Sequence, residues 1–128
     1  MNTYIYTQST GIITYSNKTV ISMGYAGGAC GMHPENVNDH LSQAMHGVGP
    51  LPCGLYSMGV VADHPKLGAY AIPLIPDKNN QMFGRGGFFI HGDNSKLNHS
   101  ASEGCIILPH NVRTAIYALG NTITVVSC

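Results

Sequence analysis

A chain of 128 residues suits one domain, spanning 1–128, around one core, because surface-to-volume scaling lets it bury well over half of its unfolded surface. Six Lys plus Arg balance six Asp plus Glu, so no cationic field gathers polyphosphate, and nucleic acid is disfavoured as a partner. No apolar run approaches the roughly 20 residues of a membrane-crossing helix, and Met1 to Ser16 lacks the basic start, apolar stretch and small-residue cleavage site of a secretory signal.

The chain opens on β-forming runs, Tyr4 to Tyr6, Ile12 to Tyr15 and Thr19 to Ser22, set apart by the turn formers Ser9-Thr10-Gly11 and Ser16-Asn17-Lys18. Four glycines between Gly24 and Gly31 predict a loop, and the spacing of Val37, Leu41 and Met45 predicts a short helix within Pro34 to Met45. Gly49-Pro50-Leu51-Pro52-Cys53-Gly54 is a rigid turn, since each proline fixes its own φ and removes a donor. It leads into a strand over Leu55 to Ala62. Asp63 to Gly86, with Pro65, Pro73 and Pro76, reads as irregular. Phe88-Phe89-Ile90 reads as a buried strand handing directly to His91, and Ile106 to Leu108 as another. Asn111 is read as the cap of a helix with Val112, Ile116 and Leu119 on its apolar face and Gly120 as its stop. Thr122 to Ser127 closes the chain as a strand. The sum is a mostly β domain with one or two short helices.

Cys30, Cys53, Cys105 and Cys128 show no CxxC pairing, which argues against a structural zinc cage and a dense disulfide framework. Cys30, Cys53 and Cys128 are read as inert core thiols or disulfide partners. Cys105 stands apart. It follows Gly104 at the end of a polar loop, fourteen positions after His91, which itself ends a buried strand. A free thiol has a pKa of about 8.5 and attacks as the thiolate, so it needs a base. If the two strands are neighbours, the imidazole can meet the sulfur. Gly104 would let substrate backbone approach, and amides around Cys105 would face the oxyanion of an acyl-transfer intermediate. Ser102 is open to two roles, a loop-fixing hydroxyl or a partner of the thiolate. His99 lies within the same loop, within reach of substrate; His33, His40, His46, His64 and His110 are read as surface groups. His91, His99 and Cys105 also admit a reading as three zinc ligands, which neither an HxxxH helix nor a fourth carboxylate supports.

The stretch His91-Gly92, a loop, then Ser102-Glu103-Gly104-Cys105-Ile106 resembles the signature of the L,D-transpeptidase catalytic domain. Gly49-Pro50-Leu51-Pro52-Cys53-Gly54-Leu55-Tyr56 is similar to the Gly-Pro-x-Pro-x-Gly-x-Tyr segment of such domains. With the opening hairpins and Gly24-Tyr25, the likeness covers most of the chain. In size, and in the absence of a signal sequence, it resembles most the compact L,D-transpeptidase-like effectors of the type VI secretion system. The resemblance implies a small β-sandwich without a cofactor. It implies attack by Cys105 on the bond between the third stem residue of peptidoglycan and its terminal D-alanine, with His91 as base and the Gly92 carbonyl holding the imidazole tautomer. Ser102, Gly104, Arg85, His99 and Tyr25 are then the substrate-side residues. It further implies an enzyme made in the cytoplasm, passed through a secretion apparatus, active in the periplasm of another bacterium, and countered by an immunity protein. Cross-linking relatives carry Arg two residues after the cysteine, where this chain has Ile107, with Arg85 or Lys96 as candidate replacements. Stem trimming or D-amino-acid exchange is therefore favoured over cross-linking of the producer's own wall. A non-catalytic wall-binding module is the reading from a different class.

Overall fold

In a computed structural model describing residues 2–128, the chain forms ten strands and one α-helix, the mostly β architecture expected. The strands are β1 (Asn2–Thr7), β2 (Ile12–Tyr15), β3 (Val20–Met23), β4 (Tyr25–Ala26), β5 (Gly54–Met58), β6 (Ala62–His64), β7 (Gly68–Pro76), β8 (Phe89–His91), β9 (Ile106–Ile107) and β10 (Gly120–Val126), with α1 over His110–Leu119. The sheet path runs β3-β2-β1-β10-β5-β7-β8-β9-β4, with β6 paired to β7. β1 and β2 form a hairpin, and β1 then lies parallel to the terminal strand β10, in the register Ile5 to Thr124. The first and last strands thus lie side by side within the sheet.

Tyr4, Tyr6, Ile13, Tyr56, Ile123 and Val125 alternate inward from these strands and pack with Ile72, Ile90, Ile106 and Ile116 in one core. Each large side chain so buried contributes roughly 1.5–3 kcal/mol. Two tyrosines keep their polar ends satisfied: the Tyr4 hydroxyl donates to the Ile116 carbonyl of α1 at 2.8 Å, and that of Tyr56 to the Pro52 carbonyl at 2.7 Å. α1 lies against β7, β8 and β10. No helix among the described residues is long and apolar enough to cross a membrane.

Several local expectations are corrected. The predicted helix within Pro34 to Met45 is two short 3-10 turns, Pro34–Asn36 and His40–Ser42. Leu41 is 89% exposed and Met45 50%, so their four-residue spacing marks no buried face, and Asn38 breaks the run with a φ of 56°. The segment read as irregular holds β7, the longest strand. Its prolines are tolerated because Pro73 accepts through its carbonyl, from the Gly59 N–H, and the amide of the next residue, Leu74, reaches the Phe88 carbonyl. The expected strand over Leu55 to Ala62 is broken between β5 and β6, and the glycine loop contains β4. Asn111 is not the helix cap; Pro109 precedes the first turn without a side-chain cap, and Leu119 is 56% exposed. All four cysteines are free, Cys30 and Cys128 are exposed and Cys53 is half-buried, so none of these three is a core thiol.

Candidate active site

β7 pairs with β5 near its C-terminal end and with β8 at Ile72 and Pro73, and β8 in turn lies parallel to β9, Ile90 opposite Ile106 and His91 opposite Ile107. Ile90 and Ile106 are fully buried in the core. Because successive side chains change face, Phe89 and His91 share the other face with Cys105, which stands one position before β9. Cys105 and His91 line the same cavity, about 590 Å³, together with Cys30, His64, Arg85 and Glu103.

His91 is 3% exposed. Its Nδ1 lies 2.9 Å from the Gly92 carbonyl oxygen. A carbonyl only accepts, so Nδ1 carries the proton and Nε2 keeps its lone pair. The Cys105 sulfur accepts the Phe89 N–H at 3.3 Å; no hydrogen bond joins it to the imidazole. Burial pushes the thiol up to about 11, with the Glu103 carboxylate adding and the Phe89 amide and Arg85 opposing. Burial also pulls the imidazole below its ordinary value, against the Gly92 bond and with help from the Arg113 and His64 charges. At neutral pH the cavity therefore holds a neutral thiol and a neutral base, and a thiolate forms only by proton transfer to a base or at strongly alkaline pH.

The loop carrying Cys105 is held from inside the protein. Ser102, fully buried, accepts the Gly27 and Gly104 amides at 2.9 and 3.0 Å and donates to the Cys105 carbonyl at 2.6 Å. These bonds fix the loop, and Ser102 is not among the residues lining the cavity of Cys105 and His91. Gly104 is likewise internal rather than a landing for substrate: its N–H is committed to Ser102, its carbonyl accepts from the Leu51 amide, and at φ 146° a Cβ would stand 2.6 Å from Arg85 Nη2 and 2.8 Å from the Phe88 ring. That amide is consequently not free for an oxyanion. Arg85 lines the cavity, yet its guanidinium donates to the carbonyls of Gln43, Pro50, Gly49 and Glu103 at 2.6–3.2 Å and lies over the Phe88 ring. It clamps the Gly49-Pro50 turn to the residue two before Cys105, with both terminal nitrogens committed to main-chain carbonyls.

Tyr25 and His99 stand elsewhere. Their rings stack with centroids 4.5 Å apart and line a second cavity, while the Tyr25 hydroxyl donates to Asp93 at 2.6 Å and accepts the Ala101 amide. His91, His99 and Cys105 accordingly do not converge on one point, and no group of three or more His, Cys, Asp or Glu among the described residues has the geometry of a metal cage. Lys96 is exposed in the 92–101 loop. Two residues were missed in the sequence. His64, read as a surface group, lines the first cavity with its ring edge-on to Phe89 at 5.2 Å. Arg113, not singled out at all, is 4% exposed on α1; its position three residues before Ile116 was the available signal, since that spacing puts both on the inward face.

The Tlde1 domain model matches residues 25–126, a span from β4 to the end of β10 that contains the whole lining of the first cavity and that of the second apart from Met23 and Gly24. No curated protein matches the chain.

Proposed function

The chain belongs to the Tlde1 domain family, the L,D-transpeptidase-like effectors of type VI secretion, and we propose that it trims peptidoglycan stems by thioester chemistry at Cys105. Nε2 of His91 takes the thiol proton as the sulfur attacks the carbonyl carbon of the third stem residue. The tetrahedral intermediate collapses to a thioester, and D-alanine leaves as the amine, taking its proton from the imidazolium. Water, deprotonated by the same imidazole, then attacks the thioester and releases the shortened stem and the free thiol. If the amine of a free D-amino acid attacks instead, the terminal residue is exchanged.

The observation that carries this reading is the shared cavity of Cys105 and His91, with the Gly92 carbonyl leaving Nε2 as the basic nitrogen. Cross-linking is disfavoured because Ile107 is buried in β9 opposite Tyr25, and Arg85 is committed to main-chain carbonyls. The protein would act in the periplasm of a target bacterium, reach it through the secretion apparatus, and be covered at the cavity by an immunity protein in the producer.

Tetrapeptide wall fragments incubated with the protein are expected to lose D-alanine, followed by mass spectrometry, and Cys105→Ala to leave them intact. Binding without release by the parent protein would favour a non-catalytic module.

A further inference from the structure

The second cavity, about 540 Å³, is lined by Arg113, Asp93, Tyr25, His99 and Leu97 among others. Its floor carries a charge the protein does not neutralise. Arg113 donates one long bond, Nη1 to the Leu108 carbonyl at 3.3 Å, while its Nε is buried with no partner. The fold makes room for this guanidinium: a Cβ on Gly92 would stand 2.7 Å from Nη1. A buried guanidinium without a counter-charge weakens the fold unless something compensates it.

Asp93 borders the same space. Its Oδ1 accepts from the Tyr25 hydroxyl and the Asn94 amide, and its other carboxylate oxygen has no partner. Arg113 and Asp93 form no ion pair, the salt bridge found among the described residues being His33 with Glu35. Opposite charges on one cavity wall, each with donors or acceptors left over and not joined to each other, match a ligand that carries both signs a short distance apart. Leu97 and Met23, 74% and 68% exposed, border the same cavity and offer apolar surface to a side chain.

We propose that this cavity binds a zwitterionic α-amino acid, its carboxylate on Arg113 and its ammonium on Asp93. The site stands on those two residues; stem trimming supplies only the choice of D-alanine as the probe.

Titration calorimetry on Cys105→Ala protein, which removes turnover, would compare D-alanine, N-acetyl-D-alanine and D-alaninamide. D-alanine is expected to bind most tightly, since each blocked analogue lacks one of the two charges. Arg113→Gln is expected to weaken D-alanine at least about tenfold, the loss of a charge-assisted hydrogen bond. Asp93→Asn, at an exposed position that leaves the core untouched, is expected to weaken D-alanine while leaving N-acetyl-D-alanine unchanged. Circular dichroism establishes that each variant is folded, and should Arg113→Gln not fold, the Asp93→Asn comparison decides alone. No binding of D-alanine, or equal binding of all three probes, would overturn the proposal. Parent protein that releases D-alanine from stems but fails these titrations would sink this site and leave the trimming reaction standing.

Discussion

Replacing Arg85 with methionine removes a buried guanidinium that holds four carbonyls, those of Gln43, Pro50, Gly49 and Glu103. Charge-assisted bonds of this kind contribute about 1.5–3 kcal/mol each, and the contact with the Phe88 ring about 0.5–1 kcal/mol more. Against this stands the desolvation of the guanidinium, several kcal/mol that methionine does not incur. The net loss is about 3–5 kcal/mol. For a chain of 128 residues, an unfolding entropy of about 2.1 cal/mol/K per residue converts this to a fall of about 10–20 °C in Tm. Differential scanning calorimetry measures it directly. Activity should fall through kcat, because the Glu103 carbonyl that Arg85 holds lies two residues before the sulfur. Arg85→Lys should recover only part of the stability, since an ammonium cannot reach all four carbonyls with a planar fork. Had Arg85 instead been a substrate-carboxylate group, its removal would leave Tm within about 2 °C of the parent and raise KM; that pair of results would refute the clamp.

Gly104→Ala should destabilise by about 2–5 kcal/mol, from a left-handed φ and overlap with Arg85 and Phe88, read as a lower denaturant midpoint. Ser102→Ala leaves the buried Gly27 and Gly104 amides without their acceptor and should cost about 2–4 kcal/mol by the same measurement. For pH, the proposed mechanism requires a neutral imidazole. Because burial lowers the His91 pKa, kcat/KM should rise with pH to a midpoint below the ordinary histidine value and then stay level until the thiol itself ionises at about 11. A rate that climbs steadily between neutrality and pH 10 would contradict a base-assisted thiol.

The β pattern was legible because short apolar runs, Phe88 to Ile90 after a glycine pair and Ile106 to Leu108 before a proline, have few alternatives to a buried strand. Their glycine and polar flanks also put His91 and Cys105 at strand ends, and the parallel pairing of β8 with β9 has that form. β7 was hidden by Pro73 and Pro76, since whether a proline breaks a strand depends on which neighbour needs its missing N–H. The 34–45 segment misled through periodicity alone: spacing reports a face only where something packs on it. Ser102, Gly104 and Arg85 lie near Cys105 with their polar groups turned to the protein's own backbone, which proximity along the chain does not reveal, because a sequence does not show which atoms face inward. Tyr25 and His99 belong to a cavity assembled from β3, β4, β9 and α1, which no local motif announces.

Intact-protein mass spectrometry during turnover, with rapid acid quench and peptide mapping, addresses the covalent step itself. The adduct should carry the mass of the stem lacking D-alanine, map to Cys105, vanish under hydroxylamine as a thioester does, and accumulate when deacylation is slowed. D-alanine released at the parent rate by Cys105→Ala, with no adduct on the parent protein, would contradict thioester chemistry at this cysteine.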